Sequence, residues 1–211
     1  MNRTIYRAAA LCLFVGVLST AIAQTQNMNS TNKTDTATFG GGCYWCTEAI
    51  FQMVPGVKSV TSGFAGGTKE NPSYEEVCTG STGHAEVIHI EYDPAVVSYE
   101  KLLAIFWQAH DPTTLDRQGA DVGTQYRSVI LYNSEAQKAA AERSKTLAQK
   151  DFKQRIVTEI VPLKKFYPAT LDHQNYYRTH PNQPYCRAVI GPKVEKFEKK
   201  LKELKEAEVA H

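Results

Sequence analysis

From His84 to Tyr92 the side chains alternate, so that Glu86, Ile88, Ile90 and Tyr92 fall on one face of an extended segment and Val87 and His89 on the other. Asp93-Pro94 ends this run, which predicts a strand. Lys58–Phe64 is a second strand-like run, closed by Ala65-Gly66-Gly67, and Thr38-Phe39 ends a third directly before three glycines. Two more strands are expected at Tyr126–Tyr132 and Val157–Val161. Helix-forming residues occupy Thr47–Val54, and Ser98–Ala109 carries Leu102, Ile105 and Phe106 on one side. Ser134-Glu135-Ala136-Gln137 has capping-box spacing and opens a helix running to about Gln149. Between these lie a short segment, Tyr74–Cys78, and a long polar loop, Asp111–Gly123. Beyond Lys164 the chain is a coil rich in Tyr, His, Asn and Pro, then a helix with Val194, Phe197, Leu201 and Leu204 on one stripe.

The order strand, helix, strand, strand, helix, strand, helix, strand predicts an α+β fold. It is a two-layer sandwich with a mixed sheet and a ferredoxin-like core, followed by a C-terminal coil and helix.

The first residues belong to a different pattern. Met1–Arg7 is basic, Ala8–Val17 is apolar, and Ala21-Ile22-Ala23 places small residues before Gln24. That order is a secretory signal peptide over residues 1–23, cleaved after Ala23, which implies a periplasmic or secreted protein with no membrane attachment once processed. Residues 24–36 are polar and aperiodic, a disordered leader, which leaves a single domain over residues 37–211. Processing removes Arg3 and Arg7 and leaves 22 basic against 22 acidic side chains. Such a balance offers no electrostatic footprint for nucleic acid or an anionic membrane.

Four cysteines remain for an oxidising compartment: Cys43, Cys46, Cys78 and Cys186. They are too few to staple a chain of this length, so redox work fits better. Cys43 and Cys46 flank Tyr44 and Trp45 after Gly40-Gly41-Gly42, at a strand-to-helix junction. Helix N-termini favour negative charge, which predicts a lowered thiol pKa and makes Cys43 the candidate nucleophile. A zinc half-site lacks its second pair, haem attachment lacks a His at position 47, and a structural disulfide or a thioredoxin-like motif remains an alternative. Cys78 reads as a buried small hydrophobe, and Cys186 as a loop cysteine able to swing toward a partner.

Glu86 lies at the mouth of its strand, where burial would raise its pKa and suit it to donate a proton. Tyr74 and Tyr126 sit at loop edges, where phenols can hold a ligand oxygen without adding charge. For both tyrosines the alternative is a core residue with a satisfied hydroxyl.

Together with Gly42-Cys43-Tyr44-Trp45, Tyr74 and Gly83-His84-Ala85-Glu86-Val87, the segments Asp121–Ser128, Asp172–Tyr176 and Tyr185-Cys186 resemble the peptide methionine sulfoxide reductase A family, with the blocks in family order. The resemblance implies a thiol-dependent reduction of the S epimer of methionine sulfoxide, free or in proteins. Cys43 would attack the sulfoxide sulfur and become a sulfenic acid, while Glu86, Tyr74 and Tyr126 handle the oxygen and Asp121 supports the polar side. Tyr44, Trp45 and Tyr185 would line the substrate pocket. Cys186 is preferred over Cys46 as the resolving thiol, and an external dithiol reductant, such as a thioredoxin-like protein, would reopen the disulfide. No metal, flavin or nicotinamide is implied. The chain departs from the family pattern at Tyr44, usually Phe, and at Cys46, frequently Gly. Outside the family, the competing functions are a disulfide-stapled aromatic binding module and a thioredoxin-like disulfide exchanger.

Overall fold

The computed structural model of the protein describes residues 33–209; the expected signal peptide and the leader up to residue 32 lie outside them. The first strand, β1 (Asp35–Gly41), begins inside the expected leader, because Asp35 and Thr36 pair with Tyr92 and Glu91. Three glycines then carry the chain directly into α1 (Tyr44–Phe51), three residues before the expected helix start, with Cys43 as its N-cap. β2 (Val57–Ala65) follows, then α2 (Tyr74–Cys78), β3 (Ala85–Tyr92) and α3 (Tyr99–Ala109). Ser73 and Glu76 form a complete capping box on α2, which the sequence reading did not anticipate.

The loop expected at Asp111–Gly123 contains a small hairpin of β4 (Arg117–Gln118) and β5 (Asp121–Val122). Residues Thr124–Tyr126 make a 3₁₀ turn, so β6 starts at Ser128 (Ser128–Tyr132) rather than at Tyr126. α4 (Glu135–Ala148) has Ser134 as its cap, accepting from the Gln137 N–H. The Gln137 carboxamide overshoots that cap and accepts from the Asn133 N–H instead, so the expected box is only half formed.

β7 (Glu159–Pro162) runs parallel to β6, and β8 (Phe166–Pro168), which the sequence left as coil, pairs antiparallel with β2. The six-stranded sheet has the order β7-β6-β1-β3-β2-β8. Its inner four strands, β6-β1-β3-β2, are all antiparallel neighbours in the ferredoxin-like order, and the parallel edge strand β7 makes the sheet mixed. The chain closes with α5 (Tyr176–Thr179), a π-helical turn at Cys186–Ile190, and α6 (Gly191–Val209).

Burial explains the layering. Phe39, Ile88, Ile90 and Ile130 project from one sheet face into a core shared with Ile50, Phe51, Leu102, Leu103, Phe106 and Ala141 of the helices. The opposite face packs Ala65, Ala85, Val87, Val129 and Leu131 against Val161, Leu163 and Phe166. β3 is therefore apolar on both faces, and a charged group there must be accommodated rather than solvated. Among the described residues no helix is long and apolar enough to cross a membrane.

Candidate active site

Where β1 turns into α1, Gly42 has φ +89°, and a Cβ there would lie 2.6 Å from side-chain carbons of Gln118. Only glycine fits that turn without strain. Gly40 gives close passage to the β3 backbone, since its Cβ would meet the Glu86 carbonyl oxygen at 2.9 Å. These glycines bring Cys43 and the start of α1 down onto Glu86.

Glu86 is 2 % exposed, and the Tyr44 backbone N–H donates to its Oε2 at 3.0 Å. Burial pushes its pKa up to about 8, opposed by the Tyr44 bond and reinforced by the negative charges of Asp121 and Cys46. A pocket of about 250 Å³ collects Cys43, Tyr44, Trp45, Tyr74, Glu86, Asp121, Tyr126 and Tyr185. Five separate segments of the chain converge there. The volume falls below the roughly 300–1,000 Å³ usual for drug-sized ligands, and suits the end of one side chain.

Each element supplies its part for a local reason. Tyr74 opens α2, Tyr126 ends the 3₁₀ turn, and the Tyr185 hydroxyl donates to Asp121 Oδ2 at 2.7 Å. Burial holds all three phenols above the usual tyrosine pKa, so they are hydrogen-bond donors rather than anions. A larger groove of about 960 Å³, between the end of α3, the 111–118 segment and α6, contains no thiol and no buried carboxyl. Chemistry therefore selects the smaller pocket.

Three expectations about the cysteines are corrected. Cys43 was expected to ionise easily, but its hydrogen bond to Cys46, its burial and the charges of Cys46 and Glu86 raise its pKa. Cys46 moves the opposite way, lowered by the same hydrogen bond and by Lys193, so of the two thiols Cys46 is the more readily ionised. Cys186 does not sit in a mobile loop: it is 0 % exposed, the first residue of the π-helical turn, and clusters with Cys43 and Cys46. Cys78 is exposed rather than buried, at the end of α2, with its thiol bonded to Tyr74.

Several supporting residues escaped the sequence reading. His173 shares a 2.6 Å hydrogen bond between Nδ1 and the Tyr44 hydroxyl, and its carbonyl accepts from Trp45 Nε1 at 3.1 Å. The buried phenol that replaces the family's Phe thus has a partner. Tyr176 stacks on Trp45 with ring centres 3.7 Å apart. Glu48, buried on α1, accepts from the Asn175 N–H at 3.0 Å, and Gln174 bonds the Ser62 backbone on β2 from both ends of its carboxamide. This strap backs the aromatic wall. Its signal was present in Asp172-His173-Gln174-Asn175-Tyr176, a polar run with no periodicity to assign it a face.

Residues 35–206 match the family model described as Peptide methionine sulfoxide reductase. A peptide methionine sulfoxide reductase of Sulfolobus acidocaldarius is 55% identical over 165 residues, covering 78% of this chain and 94% of that protein. One from Polynucleobacter asymbioticus is 55% identical over 170 residues, covering 80% and 90%. Among solved structures, reduced Mxr1 from Saccharomyces cerevisiae aligns with a TM-score of 0.70 at 34% identity, over 73% of this chain and 90% of that one. Methionine sulfoxide reductase A of Corynebacterium diphtheriae aligns at 0.64 and 39% identity, over 70% and 76%. Mxr1 in complex with Trx2 aligns at 0.50 and 25% identity, over 69% and 86%.

Proposed function

The chain belongs to the peptide methionine sulfoxide reductase family, so its reaction is the reduction of methionine sulfoxide, and we propose that it acts on the S epimer, free or in exported proteins, through a Cys43 sulfenic acid. The observation that supports this reading is the shared pocket, in which one thiol, one carboxyl held protonated near neutral pH and four tyrosines surround a cavity of side-chain size.

In this scheme Tyr44 and Trp45 wall the sulfoxide methyl group, and Tyr74 and Tyr126 hold its oxygen. Cys43 passes its proton to the Cys46 thiolate as its sulfur attacks the sulfoxide sulfur. Glu86 delivers one proton to the departing oxygen. The protonated oxygen then passes to the Cys43 sulfur as the substrate sulfur–oxygen bond and the sulfur–sulfur bond made in the attack both break, so methionine leaves with the electron pair of the sulfur–sulfur bond and Cys43 is left as –SOH. Asp121, bonded to Tyr185, supports the polar side. A second thiol, Cys46 or Cys186, condenses with the sulfenic acid and releases water. An external dithiol protein then reduces the disulfide, a role supported by the complex of the structural relative Mxr1 with Trx2.

The test is consumption of dithiothreitol by the purified protein with each epimer of methionine sulfoxide. Dithiol oxidation matched by methionine formation with the S epimer alone is expected. Consumption that requires an added protein disulfide and not a sulfoxide would indicate a disulfide exchanger, and no consumption with either would indicate a binding module.

A further inference from the structure

Lys193 is the third residue of α6, and its Nζ lies 3.7 Å from Cys46 Sγ. Pro192 precedes it in the first turn, where a fixed φ suits the helix start and the missing N–H costs no bond. Cys46 is 2 % exposed and sits one turn beyond Cys43, with its N–H donating to the Cys43 carbonyl at 3.1 Å. The two thiols share a hydrogen bond, whereas Cys186 interacts electrostatically with Cys46. The titratable groups around Cys46 are Cys43 on its own element, Glu86 on β3, Asp121 on β5, Tyr185 just before the π-helical turn, Cys186 within that turn and Lys193 on α6. Of these six, Lys193 alone is a cation.

Resting on the sulfoxide-reductase reading, we propose that Lys193 is a positioning residue for enzyme recycling: its ammonium holds Cys46 as the thiolate that first captures the Cys43 sulfenic acid, ahead of Cys186. The Cys46 sulfur attacks the Cys43 sulfur, a sulfur–sulfur bond forms and the Cys43 S–O bond breaks. Hydroxide departs and takes one proton from solvent to become water. Each sulfur ends one electron from its thiolate state, so the step consumes no outside oxidant or reductant. Where the proton of Cys43 was handed to Cys46 in the first half-reaction, Lys193 returns Cys46 to the thiolate by favouring its loss to solvent. Cys186, buried beside Cys46, is then placed to exchange into the new disulfide. This accounts for a cysteine at the position where the family frequently has Gly.

The experiment is a single turnover without reductant on the wild type, Lys193→Met and Lys193→Arg. Released methionine, sulfenic acid trapped by a 1,3-diketone, and the first disulfide by peptide mapping are followed from pH 6 to 10. The wild type should release one methionine per chain and form a Cys43–Cys46 link first. In Lys193→Met the trapped sulfenic acid should rise several-fold near pH 7, because the Cys46 thiol ionises less readily once the ammonium beside it is gone. That excess should vanish at high pH, where Cys46 ionises without help, and Lys193→Arg should restore most of the wild-type rate. A Lys193→Met protein that closes the Cys43–Cys46 bond at the wild-type rate and pH dependence overturns the proposal, as does a Cys43–Cys186 link formed first. Absence of methionine release in the wild type would instead overturn the functional reading beneath it.

Discussion

Burying Glu86 beneath α1 disfavours its ionised form, and that cost sets a limb in the pH profile. With the carboxyl pKa near 8, the acid form dominates at pH 7, and the chemical step should fall about tenfold per pH unit above 8. Glu86→Gln should slow turnover by roughly 10²–10⁴-fold and abolish that limb, which steady-state rates from pH 6 to 10 would reveal. The same shift acts on stability with a definite sign. A carboxyl raised from 4.5 to about 8 contributes most below pH 4.5 and loses that contribution as pH rises through 8. Cys43→Ser should eliminate methionine formation, because a hydroxyl does not supply the ionised nucleophile, while single Ser variants at Cys46, Cys78 or Cys186 should each still release methionine once per chain. Retained activity in Cys43→Ser would move the nucleophile elsewhere. At this scale the sequence marked Glu86, since period-two alternation placed it on the face of Ile88 and Ile90. It misjudged Cys43, because the direction of its shift is set by the hydrogen bond to Cys46, by burial and by the charges of Cys46 and Glu86, and the cation that acts on Cys46, Lys193, lies 147 residues from it in the chain.

The junction of β1 and α1 is the element on which the site depends. Gly42 combines a left-handed φ with contact against Gln118, whose carboxamide bonds the Asp111 backbone at its N–H and its C=O. Gly42→Ala should cost about 1–3 kcal/mol through backbone strain and overlap with Gln118. Turnover should drop with it, since Cys43 is the next residue. Chemical unfolding midpoints and kcat measured on the same preparation test this; an unchanged midpoint would show that the turn relaxes without strain. Elements with a clear period were legible: β2, β3, α3 and α4 fall within a few residues of expectation. β8 and the π-helical turn were not. Three residues, Phe166–Pro168, carry too little pattern to read as a strand, and their pairing with Gly63–Ala65 depends on where the sheet edge ends. Pro181 and Pro184 read as loop markers, yet the turn after them is held in place by burying Cys186 and Ile190 against α1.

For the whole molecule, the segment after β7 crosses back over α1 and supplies His173, Tyr176, Tyr185, Cys186 and Lys193 to one site. The N-terminal order of charged, apolar and small residues carries a separate prediction: exported protein should begin at Gln24, and N-terminal sequencing that found Met1 on protein retained in the cytosol would refute it. By itself the sequence determined the α+β class, the helix and strand periods, the junction carrying Cys43 and the carboxyl of Glu86, since these rest on spacing along the chain and on local preference. Its blocks in order also carried the family resemblance. Only the tertiary structure decided which thiol faces which, that Cys78 is exposed and Cys186 buried, that Tyr44 finds His173, and that Lys193 reaches Cys46. Those outcomes follow from contacts between residues more than a hundred positions apart, or from how packing covers a short segment, and neither leaves a local period to read. Electrostatic environment is a property of the packed interior, so which thiol ionises more readily was decided only when the strands and α6 closed around them.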